Sequence, residues 1–313
     1  MTTALLLDPV FKEHLPGSGH PERPERYDAI TSGLEREGLV RDALRLKTRR
    51  AADDEIAMCH TREYLATVKR DVARGARDLS TGDTALSAKS LDVALDAAGG
   101  VMNAVDAVVA GKAKNSFCAV RPPGHHASAV RGMGFCLFNN VAIAARYAQQ
   151  KHGLSRILIA DWDVHHGNGT QDIFYGDGSV FFFSTHQSPW YPGTGARDET
   201  GEGAGKGFTL NCPFPSGSGR AEIVSAFRER LVPQMNKFQP ELVLISAGFD
   251  SRAGDPLGQF TLTDDDFSDL TRILMDVAEQ HAKGRVVSVL EGGYSLAGLA
   301  AGAASHMTTL TNA

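Results

Sequence analysis

The chain has 313 residues, 42% hydrophobic and 22% charged, with a formal net charge of −5. This is globular composition that excludes disorder and fibrous repeats, and 32 Lys plus Arg against 37 Asp plus Glu leave no basic excess for direct nucleic-acid binding. No apolar run reaches the about 18 residues that a membrane span requires, and the Met1-Thr2-Thr3 start lacks the basic region of a secretory signal.

A single domain over 1–313 is expected, since no linker, repeat or low-complexity tract interrupts the pattern. In chain order, a helical pattern spans 90–110 and a strand spans 116–120, ending at Arg121-Pro122-Pro123-Gly124. A helix over 140–151 precedes a strand over 156–160 that ends at Asp161. The next strand, 179–184, ends at Thr185-His186. A helix over 220–238 leads to a strand over 241–246 that ends at Ala247-Gly248. A helix over 264–283, with Thr263 as N-cap, leads to a strand over 285–290 that ends at Glu291-Gly292-Gly293. The last helix, 296–310, follows Ser295 as N-cap. Continuous apolar strands alternating with helices predict a mostly parallel sheet buried on both faces. In such sheets ligands sit beyond the carboxyl ends of the strands, so the polar turns that follow these five strands should converge.

Those turns hold unusual chemistry. Six of the eleven histidines fall between 125 and 186: two His-His pairs, His152 and His186. Asp161-Trp162-Asp163-Val164-His165 places two carboxylates and an imidazole at alternating positions, which an extended chain points the same way. Such groups repel unless a divalent cation lies among them; a hydrogen-bonded turn with a helix cap is the plainer alternative. Asp250, just past another strand, is a candidate third ligand for a zinc with open positions. The prolines before His125-His126 fix a rigid approach, and adjacent imidazoles there would activate a water if acceptors orient them; Asp161 and Asn168 are available for that. Tyr294, after a double glycine, would present a hydroxyl to an oxyanion, or else be a core tyrosine beside a turn. The glycine-rich segment 201–207 fails the phosphate-loop spacing and reads as a surface loop. Cys59, Cys118, Cys136 and Cys212 form no closely spaced pair, so a disulfide framework is not expected and a reducing, cytoplasmic location is.

Taken together, Arg-Pro-Pro-Gly-His-His (121–126), Gly-Phe-Cys-Leu-Phe-Asn (134–139), Asp-Trp-Asp-Val-His-His-Gly-Asn-Gly-Thr (161–170), Ala-Gly-Phe-Asp (247–250), Gly-Asp-Pro-Leu-Gly (254–258) and Glu-Gly-Gly-Tyr (291–294) resemble the zinc-dependent histone deacetylase family. The resemblance runs from His20-Pro21-Glu22-Arg23 to about residue 310, and Trp162, Asn168 and Tyr294 place it near the class II branch. It implies the arginase/deacetylase fold, a parallel eight-stranded sheet with helices on both faces. It implies one catalytic zinc on Asp163, His165 and Asp250, with His125 and His126 beside the hydrolytic water and Tyr294 polarising the carbonyl. It further implies Phe135, next to Gly134, and Tyr191 as the walls of an acyl-lysine channel. Asp83 becomes the rim aspartate that holds the substrate backbone, and a structural potassium is implied near Asp161, Asp163, His165 and Ser184. The substrate it implies is an acetylated lysine side chain of a protein or peptide, or a small acetylated amine. Leu257 stands where a gatekeeper Glu would select polyamines and leaves the rim without an anion, which favours acyl-lysine. A two-manganese ureohydrolase on the same fold would need carboxylates where Gly167 and Arg252 stand, and a non-catalytic acyl-lysine reader would need neither Tyr294 nor the His pair.

Overall fold

The computed structural model describes residues 2–312. Eight strands form one sheet, all pairs parallel, in the order β2-β1-β3-β8-β7-β4-β5-β6. They are β1 (Ala4–Leu6), β2 (Leu44–Leu46), β3 (Asn115–Cys118), β4 (Ile157–Asp161), β5 (Val180–Gln187), β6 (Thr209–Phe214), β7 (Leu242–Ala247) and β8 (Val286–Leu290). The helices are α1 (Glu25–Arg36), α2 (Asp53–Ile56), α3 (Arg62–Ala73), α4 (Ser90–Val109), α5 (Asn140–His152), α6 (Asn168–Phe174), α7 (Arg220–Ser225), α8 (Val232–Phe238), α9 (Asp264–His281) and α10 (Leu296–Thr311).

Both faces of the sheet are covered, and alternation along each strand decides which core a side chain joins. Ile157, Ile159, Leu242, Leu244, Val287 and Val289 pack with α3, α4 and α5. Leu158, Ala160, Val243 and Ile245 pack on the other side with α1, α7, α8, α9 and α10. The central strands β4, β7 and β8 are fully buried, which is why they read as unbroken apolar runs.

The predicted helices form within two residues of their expected ends, with one difference. The stretch 220–238 is α7 and α8 joined through a π-helical turn, Ala226–Leu231. Both expected caps are present: Ser295 Oγ accepts from the Gly298 N–H, and Asp266 accepts from the Thr263 N–H. The additional strands are β1, β2 and β6. β1 and β2 have three residues each, and β6 is an edge strand containing Asn211 and Pro213.

Two features of this topology matter for function. β7 and β8 fill the gap between β3 and β4, so β3, β8, β7 and β4 lie side by side at the centre of the sheet. Their carboxyl ends carry 121–126, 291–294, 248–250 and 161–166 to one place. At the opposite, amino end of the strands, Thr3 Oγ1 and Asn115 Nδ2 both donate to the Leu310 carbonyl, at 3.1 and 2.8 Å, which ties α10 to the start of β1 and β3.

Candidate active site

The segment after β4 departs from the extended geometry expected of it. The strand ends at Asp161, and the chain then bends because Asp161 Oδ1 accepts from the Asp163 N–H and Asp163 Oδ1 from the His165 N–H. As a result Asp161 turns to His125, while Asp163 and His165 meet Asp250. One donor atom from each of Asp163, His165 and Asp250 lies within 4.8 Å of the others, all buried. His165 Nδ1 is 3.0 Å from Asp163 Oδ1 and 3.2 Å from Asp250 Oδ2.

These residues fit a divalent cation. Asp250 Oδ2 is buried and, though close to His165, has no aligned hydrogen-bond partner. The other oxygens are held by backbone: Asp250 Oδ1 accepts from the Val164 N–H, and Asp163 Oδ2 from the Gly292 N–H. Residue 292 must be glycine for this approach, because a Cβ there would collide with Asp250 Oδ2. Among the described residues neither carboxylate has a Lys or Arg partner. Burial disfavours charge on His165, but its contacts with Asp163 and Asp250 outweigh this and lift it to about 10, the mark of a negative cradle. Burial and the nearby Asp163 push the Asp250 carboxyl upward.

Beside the cradle, His125 and His126 stack with ring centroids 4.0 Å apart. Asp161 Oδ2 lies 3.0 Å from His125 Nδ1, and Asn168 Oδ1 lies 2.8 Å from His126 Nδ1. The two environments drive the imidazoles apart. Burial works against charge on His125, but Asp163 and Asp161 overcome it and raise His125 to about 10. Burial, with His125 and His165 close by, pulls His126 well below the usual histidine value. With Nδ1 donating to Asn168, neutral His126 presents Nε2 as an acceptor. Tyr294 is buried, which pushes its phenol well above 10 and keeps it a donor. Among the described residues its hydroxyl has no hydrogen-bond partner.

Above these groups is a cavity of about 250 Å³ lined by Asp83, His126, Gly134, Phe135, His165, Trp190, Tyr191, Leu257 and Tyr294. Every expected substrate-contacting residue is therefore at one mouth, with Trp190 in addition. Phe135 stands edge-on to Tyr294 at 5.9 Å and takes the left-handed conformation at φ 69°. The preceding Gly134 is required, since a Cβ would run into the His126 ring. The expectation that Leu257 leaves the rim without an anion is not met: Asp83, on a separate loop, lines the same mouth. Ser184 lies opposite Asp161 in the β4–β5 register, its hydroxyl 2.9 Å from His186 Nδ1.

The supports of this site went unrecognised in the sequence. Arg26, on α1, donates to the Gly293 and Glu291 carbonyls at 2.7 and 2.6 Å and to Glu22 at 3.1 Å. Arg121 bonds Glu22 with two nitrogens. Burial would raise the Glu22 carboxyl, but Arg121, His14 and Arg26 hold it at about 2. Asp255 accepts from the N–H groups of Leu257, Tyr294 and Ser295, joining the mouth to the Tyr294 turn. Glu291 Oε2 accepts from the Gly124 and His125 N–H groups, which fixes the His pair. Glu22, Arg121, Asp255 and Glu291 stand in the segments that carry the family resemblance, but nothing in their spacing tells which groups they hold.

Comparison with known proteins agrees with this geometry. The histone deacetylase domain profile matches residues 20–310. This chain belongs to the histone deacetylase family. A probable deacetylase of Archaeoglobus fulgidus is 39% identical over 95% of this chain and 83% of its own length. Human polyamine deacetylase HDAC10 is 44% identical over 92% of this chain, which spans only 44% of that protein. A histone deacetylase-like amidohydrolase of Pseudomonas aeruginosa is 38% identical, covering 89% of this chain and 73% of its own. The crystal structure of the HDA15 HD domain superposes with a TM-score of 0.94 at 38% identity, covering 99% of this chain and 88% of that one. The eight-stranded α/β sheet is thus the arginase/deacetylase fold, and the chain is a deacetylase. No helix among the described residues is long and apolar enough to cross a membrane.

Proposed function

We propose that this histone deacetylase family member hydrolyses the acetyl amide of N-ε-acetyl-lysine in proteins or peptides, using one zinc held by Asp163, His165 and Asp250. The observation that carries the reading is the buried Asp–His–Asp cradle at the floor of a narrow aromatic cavity, with one neutral imidazole and one phenol beside it. When bound there, zinc supplies a Lewis acid that acidifies water and polarises an acyl oxygen. The protein's own groups do the rest. His126 Nε2 takes a proton from the attacking water, and the same atom returns it to the departing amine. His125, held by Asp161, stays protonated and offsets negative charge developing nearby. The Tyr294 hydroxyl donates to the oxyanion. Asn168 and Asp161 set the tautomers of the pair.

A structural potassium beside Asp161, Asp163, His165 and Ser184 is part of the proposal, supported by the buried carboxylates and the adjoining Ser184 hydroxyl. Four free, buried cysteines support a reducing compartment such as the cytoplasm. Hydrolysis of acetylated polyamines is the second reading, favoured by the likeness to a polyamine deacetylase. Leu257 supports acyl-lysine instead, since it gives a distal ammonium no anion at that point of the rim.

The test is kcat/KM on acetyl-lysine peptides and acetylspermidine, with and without chelator, beside metal analysis. The expected result is about one divalent ion per chain, chelator-sensitive turnover and preference for peptide. Leu257→Glu should shift the preference toward the polyamine by about 1–3 kcal/mol, the worth of a charge-assisted bond. A wild type that prefers the polyamine, or Asp250→Ala with full activity, would overturn the respective part.

A further inference from the structure

The two aromatic walls of the cavity come from loops remote in sequence. Phe135 lies on the loop after β3, and Tyr191 lies on the loop after β5. Asp83, on a third segment, joins them. The Tyr191 hydroxyl donates to Asp83, at 3.1 Å from Oδ2 and 3.3 Å from Oδ1. The Gly134 N–H, adjoining Phe135, donates to Oδ1 at 2.8 Å. At its other edge the Tyr191 ring stands against the His126 and His165 rings, with centroids 5.3 and 6.1 Å away. Tyr191 therefore runs from the floor of the cavity to its rim, and its hydroxyl is the last atom of that span. A phenylalanine would supply the same wall without the bond.

We infer that Tyr191 is a positioning residue whose hydroxyl fixes Asp83 as a bridge between the two walls, and that this bridge biases the mouth toward a neutral backbone amide over a free ammonium. The inference rests on the acyl-lysine reading and names the group that makes the choice.

The reasoning is that of an acceptor held in place. A carboxylate has about four lone-pair sites. Two are taken by Tyr191 and Gly134, and the remainder keep a fixed direction at the mouth. A fixed acceptor suits a peptide N–H, whose hydrogen bond weakens steeply off axis. The same carboxylate, with its charge shared between two donors and exposed to water, offers a mobile and strongly hydrated ammonium little. Without the phenol the carboxylate would be tethered by Gly134 alone, free to swing and to follow a cation.

The experiment is a double-mutant cycle of Tyr191→Phe and Asp83→Ala, read as kcat and KM on an acetyl-lysine peptide and on a mono-acetylated diamine. Tyr191→Phe should raise KM for the peptide rather than lower kcat. It should reduce the peptide-to-diamine ratio of kcat/KM about fivefold, the scale of one net hydrogen bond. In the Asp83→Ala background the same substitution should leave that ratio where Asp83→Ala alone put it. N-methylation of the peptide amide beside the acetyl-lysine should cost the wild type a similar factor and cost Tyr191→Phe little. Equal effects on both substrates, a loss confined to kcat, or additivity with Asp83→Ala would make Tyr191 a packing wall and overturn the inference. A wild type inactive on both substrates would overturn the reading beneath it and the inference with it; an active wild type whose ratio ignores Tyr191→Phe overturns the inference alone.

Discussion

His125 and His126 share a loop, a ring contact and burial, yet one is raised to about 10 and the other is pulled well below the usual value. The difference lies in what each faces: Asp161 and Asp163 for His125, and Asn168 with two imidazoles for His126. Groups pushed apart in this way divide acid–base work between them. His126 is therefore neutral through neutral pH, and the acid limb of kcat/KM should lie below pH about 6.5. His126→Ala should keep the metal and lose both rate and that limb. Tyr294→Phe should keep the metal and the limb but lose about 10²–10³ in kcat, the cost of one oxyanion donor. Rate–pH profiles of both variants, with metal content, check this pair of assignments; near wild-type kcat in Tyr294→Phe with full metal would withdraw the Tyr294 role. At this scale the sequence was informative because motif residues at strand ends carry their chemistry with them. It did not reveal the partners of Asp255 and Glu22, among them Tyr294, 39 residues on, and Arg121, 99 residues on.

Among the elements, α10 shows how a helix can be made sensitive to acid. His306 on it bonds Thr271 of α9 at 2.7 Å and Ser288 of β8 at 2.8 Å, with its ring against Trp162, Phe117 and Phe249. Burial pushes His306 down to about 3. His60, between the Ser128 carbonyl and the Asn139 N–H, is pushed down to about 4 for the same reason. A folded-state value below the unfolded one means that the unfolded chain takes up the proton first as pH falls. Stability is thus complete above about pH 6.5 and declines below it, toward 4 for His60 and 3 for His306. Each group should contribute a slope of about 1.4 kcal/mol per pH unit within its window. Urea unfolding between pH 7 and 4.5 should show the decline, and His306→Gln should lessen its slope whatever it does to the level; an unaltered slope would show that His306 is not titrating. Periodicity found α4, α5, α9 and α10 because each has a long amphipathic or apolar pattern. It missed the π turn at 226–231, which adds one residue to a repeat without changing residue types. It also missed β1 and β2, too short for alternation, and β6, where Pro213 and Asn211 disguise an edge strand.

At the scale of the molecule, the site exists because β3, β8, β7 and β4 are neighbours. Their order could not be read from the alternation of helices and strands; it is seen only in the structure. What no motif conveyed is the brace behind the site, where α1 reaches through Arg26 to the Tyr294 turn and through Glu22 to the loop of β3. Buried charges of this kind cost several kcal/mol when one partner is removed, so the brace constrains the fold as strongly as a core does.

Thr3 and Asn115 meeting at the Leu310 carbonyl has a further consequence. The two ends of the described chain lie against each other on the side of the sheet away from the cavity, so the fold is nearly a closed ring. The order in which a ribosome would emit its parts is then incidental to catalysis. A short flexible segment joining 312 to 2, with the ring opened at the exposed Gly111-Lys112 turn between α4 and β3, should refold to the same enzyme. Its kcat/KM should stay within about tenfold of the linear chain, since domain termini tolerate such relocation. Loss of turnover in a folded ring-opened chain would mean that the site depends on how the polypeptide is threaded as well as on where its residues stand.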